Sequence, residues 1–518
     1  MSGAVEAVFW GGLLRFAQAT LAAAPTLLVG LVVAGVFRKL LGPDATRKAF
    51  GGDSWRSLPQ AWLWGMLLPV CSLGVIPVAY ELRRSGLSGG TILAFCLTAP
   101  LFNPLSLLYG LTLSSPTVLM AFAFASLLVV TVVGFTWDRL FPHTAQPPCE
   151  EPAVPPGLGR ILSVGMASAR HAAGPTLLYC LIGLSGSMLL TVIFPHGSLT
   201  DSMAHTDRTA PLQMLRVAIP AYATPLNVMM QVGGMFVHGN SVGAAYVLLA
   251  LGAGANLGLI AWAWRTYGFG RAATFLSLLI AVVMVIAYAV EDPLYSAGSV
   301  EHPHTHAFDV YACPFRAGSR NLADRARRLL ADDMPMYELI SLAAVATFVA
   351  SGLGLRRFDP EGQIEASLAS RAQPAEDAPK SVLNAEVPGP VLGGVAIAGL
   401  VALSIVGCFI FYPAPEETLE EMRYVRADLW SYAASKDVEN TGRCIQRYDD
   451  LTRRLQVGYY LRTLTLTEFQ QSKARVLRGR LEQLKDVVEA GEFDRVRELN
   501  TRVSDAHQRV REAFEGNE

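Results

Sequence analysis

Long apolar runs, separated by short polar loops, occupy the chain as far as residue 412. Several of these runs exceed the ~18 apolar residues that a helix needs to cross a bilayer. The pattern therefore predicts an all-α polytopic membrane protein. The predicted crossing helices cover residues 10–37, 90–111, 116–140, 172–194, 242–264, 272–290, 336–355 and 391–412.

Two further apolar runs, at 62–82 and 217–237, contain prolines and polar residues in their middle. Proline removes a backbone donor and clashes one turn back, so helix breaks are predicted between Pro69 and Pro77 and again near Pro100. Broken helices at membrane depth are tolerated only where the freed backbone is buried in protein or lines a cavity. Such breaks are typical of the binding sites of secondary transporters.

The runs before and after residue 150 look like two copies of one unit. AAPTLLVGL at 23–31 matches AGPTLLYCL at 173–181, and Pro69, Gly90 and Asn103 align in order with Pro220, Gly243 and Asn256. Chance similarity between apolar segments is the alternative, and four landmarks kept in order favour a duplication. The predicted organisation is repeat 1 at 1–141, a Pro-rich linker at 142–171, repeat 2 at 172–290, an extracytoplasmic His-rich loop at 291–335, two more spanning helices joined by a cytoplasmic linker at 336–412, and a helical extramembrane domain at 413–518.

Basic residues in short loops predict which side of the membrane each loop faces. The Arg- and Lys-bearing loops at 38–61, 83–89, 139–171, 265–271 and 356–390 all fall in the cytoplasm if the two broken runs are re-entrant. Each repeat then crosses three times, so the two copies lie in opposite senses. The same count places residues 413–518 outside the cytoplasm, where apolar residues at helical spacing predict a small helical domain.

Composition excludes several classes of protein. The 518 residues are 52% hydrophobic and 16% charged with a net charge of −1, which gives no reason to expect a nucleic-acid partner. No GxxxxGK[ST] loop, CxxC pair or nucleophile–base arrangement occurs, so we predict no nucleotide hydrolysis, no disulfide framework and no enzyme. The expected partners are the lipid bilayer and a small solute, and the C-terminal helices are candidates for contacting a second copy or a periplasmic protein.

The stretch PVCSLGVIPVAYELRRSGLSGGTILAFCLTAP, which begins at Pro69, resembles the signature of a permease family that includes the organoarsenical efflux permease and the YraQ-like proteins. In that signature a Cys-Ser-Cys-Gly and a proline precede an R-x-G-x-x-x-G turn and an apolar run ending in Ala-Pro or Thr-Pro. The resemblance covers residues 10–290, and Leu73 stands in place of the second cysteine. It implies a multi-pass permease of the inner membrane.

Polar residues and prolines at the predicted breaks are the candidate solute-binding groups. A thiolate at Cys71 would suit a soft metal or metalloid, while a small buried packing residue is the alternative. Amides at matching positions of both repeats, Asn103 and Asn256, favour a shared site because an unpartnered amide in a bilayer is costly. Hydroxyl and amide groups beside them could instead cap helix ends. The full candidate set is Cys71, Ser72, Pro77, Pro100, Asn103, Thr224, Pro225, Asn227 and Asn256, with Thr98 as a further hydroxyl.

A second candidate site lies in the loop EHPHTHAFDVYACPF at 301–315. Imidazole and thiolate are good ligands for zinc, copper or nickel, so a transition metal here is the one cofactor that the sequence indicates. A polar loop with incidental histidines is the alternative. The candidate ligands are His302, His304, His306, Asp309 and Cys313.

The leading functional hypothesis is an inner-membrane permease that moves a small solute, such as a metal, a metalloid or an organoarsenical, by alternating access. The alternative is a membrane-anchored sensor or metal-binding protein that uses the external helical domain. Glu81 is the one acidic residue within the repeat cores. We expect it to pair with Arg83, Arg84 or a helix end rather than to relay protons.

Overall fold

The structure is a computed structural model that describes residues 2–52, 54, 56–113, 116–142, 158–200, 202–295, 308–332, 334–364, 367 and 388–515. Within these residues the chain is helical apart from turns and short loops, with no strand and one isolated bridge between Ala204 and Asn240. Six described helices are long and apolar enough to cross a membrane, or seven crossings if one bent pair counts as a span. The prediction of an all-α polytopic membrane protein is confirmed.

The chain forms two compact units. The first comprises Met1–Ser106 and Met120–Ala402, and the second comprises Leu107–Leu119 and Leu403–Glu518. The second unit thus includes a short piece of chain that the apolar pattern assigns to repeat 1. The predicted domain boundary at residue 413 falls inside this unit, ten residues after its long segment begins at Leu403.

Repeat 1 contains two helix breaks. The helices are α1 (Ser2–Val36), α2 (Gly42–Ala49), α3 (Ser57–Leu67), α4 (Val75–Arg84), α5 (Gly89–Thr98), α6 (Pro104–Leu113) and α7 (Pro116–Leu140), with a π-helical turn at Phe37–Leu41. The chain leaves helical geometry at 68–74 and 99–103. Leu68 is extended, as expected of a residue that precedes a proline, whereas Pro100 ends α5 because it has no N–H to continue the helical hydrogen bonds. Pro77 is different: it lies in the first turn of α4, where its missing N–H has no partner to lose.

Repeat 2 contains breaks at the corresponding places. Its helices are α8 (Leu158–Ala172), α9 (Pro175–Ile193), α10 (Ala210–Ala218), α11 (Pro225–Val237), α12 (Val242–Val247), α13 (Leu257–Tyr267) and α14 (Phe269–Leu294). The first break, 219–224, ends where Pro225 opens α11, a position at which the fixed φ of proline suits a helix start. The second break, 254–256, follows a π-helical turn at Leu248–Ala253 and bends the path by 56°.

One hydrogen-bonded arrangement occurs in both repeats, and we call it the carboxylate latch. In repeat 1 Asp138, near the end of α7, accepts from the Ser88 hydroxyl at 2.7 Å and the Gly90 amide at 2.8 Å, at the start of α5. In repeat 2 the corresponding residues are Glu291, Ser241 and Gly243. The sequence separations, 50 and 48 residues, are identical in the two copies. This repetition of local geometry supports the predicted duplication.

The segment after repeat 2 packs against the first helix. A 3-10 turn at Asp309–Tyr311 and α15 (Leu322–Asp332) bring Cys313, Phe315 and Leu322 into an apolar cluster with Ala7 and Leu14 of α1. Two long apolar helices follow, α16 (Met336–Phe358) and α17 (Gly389–Phe411). The His-rich stretch at 302–306 lies outside the described residues.

The second unit contains four C-terminal helices with a common core. They are α18 (Pro415–Ala434), α19 (Val438–Thr463), α20 (Glu468–Glu489) and α21 (Phe493–Glu515), and leucines and valines at helical spacing form their shared interior. Burial disfavours the charged form of Asp449, but the guanidinium groups of Arg453 and Arg478 lower the pKa of this carboxyl to about 2. A helical domain is what the spacing of apolar residues predicts here.

Candidate functional site

The four helix breaks of the two repeats, 68–74, 99–103, 219–224 and 254–256, form what we call the break cluster. The space around two glycines shows how closely these segments approach one another. A Cβ at Gly183 of α9 would lie 2.6 Å from Leu73 Cδ2 and 2.9 Å from Asn256 Oδ1, and one at Gly254 would lie 3.3 Å from Leu101 Cδ2. The break at 254–256 therefore lies beside both breaks of repeat 1.

The first break places a thiol and a hydroxyl in the interior. Cys71 and Ser72 are fully buried. The Cys71 sulfur accepts a bond from the Gly74 amide at 3.4 Å, while the Ser72 hydroxyl has no hydrogen-bond partner among the described residues. A buried hydroxyl without a partner is less favourable than one that is hydrogen-bonded to water. The Ser72 hydroxyl is therefore available to bond a ligand.

The break at 219–224 lies beside Cys71. Tyr222 is 6% exposed, and its hydroxyl interacts electrostatically with the thiols of Cys71 and Cys180 and lies near the Thr26 hydroxyl. Cys180, on α9, interacts with Cys71 in the same way and is buried as well. Within the described chain the Tyr222 hydroxyl makes no hydrogen bond of normal geometry. The two repeats thus bring the Tyr222 phenol to Cys71, and α9, which carries Cys180, packs against Leu73 of the same break.

Asn103 closes the second break of repeat 1 by capping α6. Its Oδ1 accepts from the Ser106 amide at 2.8 Å, and the Ser106 hydroxyl accepts from the Asn103 amide at 2.9 Å. Both residues are at most 5% exposed. This reciprocal pair satisfies two backbone donors at a helix start, which is the role that capping residues usually have.

Asn256 caps α13 in the same way and keeps a spare donor. Its Oδ1 accepts from the Leu259 amide at 3.0 Å. Its side-chain nitrogen is buried and has no partner in the part of the chain that the structure describes. A buried amide donor that is left unpaired costs about 1–3 kcal/mol, so a ligand oxygen that accepts a hydrogen bond from it would recover this free energy.

The other candidates have local roles. Thr98 donates to Ala94 O within α5, and Thr224 caps α11 by accepting from the Asn227 amide at 3.3 Å. The Asn227 side chain is exposed, so the structure does not place it among the buried groups of the break cluster. Pro100 lies within a break, whereas Pro77 and Pro225 lie in first helical turns.

Two of the predicted metal ligands, Asp309 and Cys313, lie in the described part of the loop. The Cys313 thiol is buried, with Ala7 O and Phe315 O at 3.5 and 3.4 Å, and the Asp309 carbonyl accepts from Arg15. The described residues contain no group of three or more His, Cys, Asp or Glu side chains arranged to hold a metal ion. Because His302, His304 and His306 lie outside the described residues, metal binding by this loop stays a prediction.

Sequence reasoning missed three residues of the site. Cys180 and Gly183 lie on α9, in or beside the segment AGPTLLYCL that identifies the repeat, and Tyr222 lies inside the second breaker IPAYATPLN. The apolar pattern shows these segments but not which of their side chains meet. Glu81 pairs with Arg84 at 3.6 Å, as predicted, and also with His171 of α8 at 2.7 Å, a partner that no local pattern indicates.

Comparison with known proteins shows the family of the chain. A family model described as a predicted permease matches residues 11–292, more than half of the chain. The chain belongs to this permease family. The UPF0718 protein YcgR of Bacillus subtilis (strain 168) is 27% identical over 92 residues, which is 18% of this chain and 31% of that relative. The match thus spans about a third of the relative's length. No solved structure matches the chain.

Membership in the permease family and the apolar helices together make the chain a multi-pass membrane protein. The family match includes all four breaks of the break cluster, both carboxylate latches and α9. It ends before α16, α17 and the four C-terminal helices. The part of the chain that the permease family shares is therefore the part that carries the candidate site.

Proposed function

We propose that this permease resides in the inner membrane and carries a small solute by alternating access through the break cluster. The observation that carries the proposal is the meeting of helix breaks from both repeats in a buried interior. Irregular backbone at membrane depth needs a cavity or protein around it, and transporter sites use such breaks at the interface between repeats. The predicted opposite orientation of the two repeats supplies the two access states.

The chemistry of the break cluster favours a small uncharged solute with a soft centre. Cys71 and Cys180 supply two thiols, and soft metalloids prefer sulfur ligands. A trivalent methylarsenical, CH3As(OH)2, has one As–C bond and two exchangeable As–O bonds. Two thiols can therefore replace two hydroxides with release of two waters, and no third ligand is needed.

Three unpaired donors would orient such a solute. The hydroxyls of Ser72 and Tyr222 and the side-chain nitrogen of Asn256 are buried without partners among the described residues. A solute that accepts hydrogen bonds from them recovers free energy that the empty site lacks. The absence of a carboxylate from the described residues of the break cluster also favours an uncharged solute over a cation.

Flux into sealed proteoliposomes tests the proposal. Vesicles holding the purified permease are given methylarsenite, arsenite or Zn²⁺, and we expect methylarsenite to enter faster than into vesicles without protein. Asn256→Leu should abolish this flux, and Cys71→Ser or Cys180→Ser should slow it by about tenfold or more, since hydroxyl oxygen is a poor ligand for a soft centre. Cys96→Ser is the matched control, because Cys96 is equally buried but lies within α5.

The outcomes separate the two functional hypotheses. If no probe enters faster than in protein-free vesicles, the permease proposal fails and the membrane-anchored sensor is favoured. Methylarsenite flux that is equal in the Cys71→Ser, Cys180→Ser and Cys96→Ser variants would still support transport, but it would contradict binding of a soft solute by these thiols.

A further inference from the structure

A pocket at one end of the first unit is lined by four arginines. It has a volume of about 290 Å³, and its walls include Arg38, Arg84, Arg170 and Arg356 together with Glu81 and His171. These residues come from four parts of the sequence that are separated by as many as 318 positions (38 to 356). We call it the arginine pocket. It is distinct from the break cluster, since none of its lining residues belongs to the four breaks.

The arginines meet because several helices end at the same place. Arg84, Arg170 and Arg356 lie in the last turns of α4, α8 and α16, and Arg38 lies in the π-helical turn after α1. A cation near a helix C-terminus interacts favourably with the helix dipole, and this interaction explains the position of each arginine taken individually. It does not explain why four of them share one cavity.

Two of the arginines pair with acidic groups that the structure describes. Glu81 is buried and pairs with His171 at 2.7 Å and Arg84 at 3.6 Å, while Arg170 pairs with Asp359 at 3.2 Å. Arg356 forms no hydrogen bond or ion pair with the described residues, and a Cβ at Gly174 would lie 2.9 Å from its Nη2. Among the described lining residues, four arginines share the pocket with a single carboxylate, that of Glu81.

A helix start adds to the positive potential. α9 begins at Pro175, and Gly174, Pro175 and Thr176 form part of the wall. The first backbone N–H groups of a helix and its dipole favour an anion at this end. Guanidinium groups add paired donors whose geometry matches the oxygens of phosphate. Both elements of a phosphate site are therefore present in one cavity.

We propose that the arginine pocket binds a phosphate-type oxyanion. The volume is roughly ten times the ~30 Å³ that one water occupies in the liquid, so a phosphate group with a small substituent fits. Two sources share this chemistry: a free phosphate or phosphate monoester, and the phosphate headgroup of a lipid. The proposal is independent of the solute that crosses through the break cluster.

Thermal unfolding of the full-length protein, purified in a detergent without phosphate, is the first test. Inorganic phosphate should raise the midpoint relative to potassium chloride at the same ionic strength, since a ligand of the folded state stabilises it. Arg356→Gln should weaken phosphate binding by about tenfold, as expected for a lost charge-assisted hydrogen bond. Arg357→Gln is the matched control, because the next residue has the same charge and does not line the pocket.

A second variant and a lipid measurement complete the design. Arg38→Gln, on another wall, should weaken phosphate binding as Arg356→Gln does, so a folding defect in one variant leaves the test intact. If the source is lipid, native mass spectrometry of protein from nanodiscs should find phosphatidic acid retained over phosphatidylcholine, and lost with Arg356→Gln. Phosphate and phosphatidic acid binding that is the same in Arg356→Gln, Arg38→Gln and Arg357→Gln would overturn the proposal, as would an equal effect of chloride.

Discussion

Repeats 1 and 2 share the carboxylate latch but build it with different side chains. Asp138 uses one oxygen for the Gly90 amide and the other for the Ser88 hydroxyl. Glu291 takes both equivalent donors on Oε2 and uses Oε1 for the His205 ring at 2.7 Å. The two copies therefore share the geometry of a helix start, and they differ in what the longer side chain can reach beyond it.

The helix breaks also share their geometry in the two repeats and differ in their side-chain contacts. Asn103 and Asn256 cap equivalent helices through Oδ1, but Asn103 also receives the support of the Ser106 hydroxyl. Asn256 lacks such a partner and keeps an unpaired amide nitrogen. A duplicated scaffold thus supplies two equivalent breaks, and the binding groups placed on them are unequal.

The largest effect is expected from removing the latch carboxylates. Asp138→Ala leaves two donors, the Gly90 amide and the Ser88 hydroxyl, without their acceptor. Each such donor costs about 1–3 kcal/mol, so we expect a loss of about 3 kcal/mol of unfolding free energy. Glu291→Ala should cost more, because His205 also loses its partner. Thermal unfolding in detergent measures both.

His205→Ala separates the shared part of the latch from the added part. This variant removes the His205–Glu291 bond and the stacking of the His205 ring on Tyr295, and it leaves the bonds of Ser241 and Gly243 to Glu291 in place. We therefore expect it to cost less than either carboxylate variant. Unchanged midpoints for Asp138→Ala and Glu291→Ala would show that the latches do not stabilise the fold.

A smaller loss of unfolding free energy is expected from substituting Gly90 and Gly243, whose amides donate to the latch carboxylates. The loss should be similar in the two repeats. A Cβ at Gly90 would lie 2.3 Å from Gly134 O, and one at Gly243 would lie 2.5 Å from Ala287 O. Both neighbours are backbone atoms that cannot swing away, so Gly90→Ala and Gly243→Ala should each cost about 2 kcal/mol through overpacking.

Gly165→Ala is the control for the glycines. Gly165 lies in α8 with no atom within 4 Å of the added methyl, so alanine should leave the midpoint unchanged or raise it. Midpoints of Gly90→Ala or Gly243→Ala that match this control would contradict the close approach of α5 to α7 and of α12 to α14.

The smallest effect on stability is expected from the capping amides, and here the two repeats should differ in function. Asn103→Ala and Asn256→Ala should each cost about 1 kcal/mol, the usual value of an N-cap. Methylarsenite flux should fall further with Asn256→Ala, since only Asn256 retains an unpaired donor for the solute. Ser106→Ala should resemble Asn103→Ala in midpoint and flux. Equal flux in the two asparagine variants would mean that both amides serve only as caps.

Much of the helix pattern could be predicted because it depends on local properties of the chain. An apolar run long enough to cross a bilayer is recognisable from its composition, and Pro69 and Pro100 end helices through their own covalent geometry. The repeat is also visible, because Gly90 and Gly243 are required by close backbone contacts that both copies make. The prediction that the break extends to Pro77 is wrong. The effect of a proline depends on its position in a helix, and Pro77 lies in the first turn of α4, which begins at Val75.

The amino-acid sequence by itself determined the class of the protein, its family and six of its long apolar helices, since each follows from residue type and spacing along the chain. The run at 90–111, which was predicted to cross the membrane, forms two short helices instead, α5 and α6. Only the tertiary structure decided which side chains meet. Tyr222 lies beside Cys71, Gly183 of α9 packs against Leu73, Glu81 pairs with His171, and Arg38 shares a pocket with Arg356. These contacts join residues 90 to 318 positions apart, and helix packing, which has no signature in any short segment, brings them together.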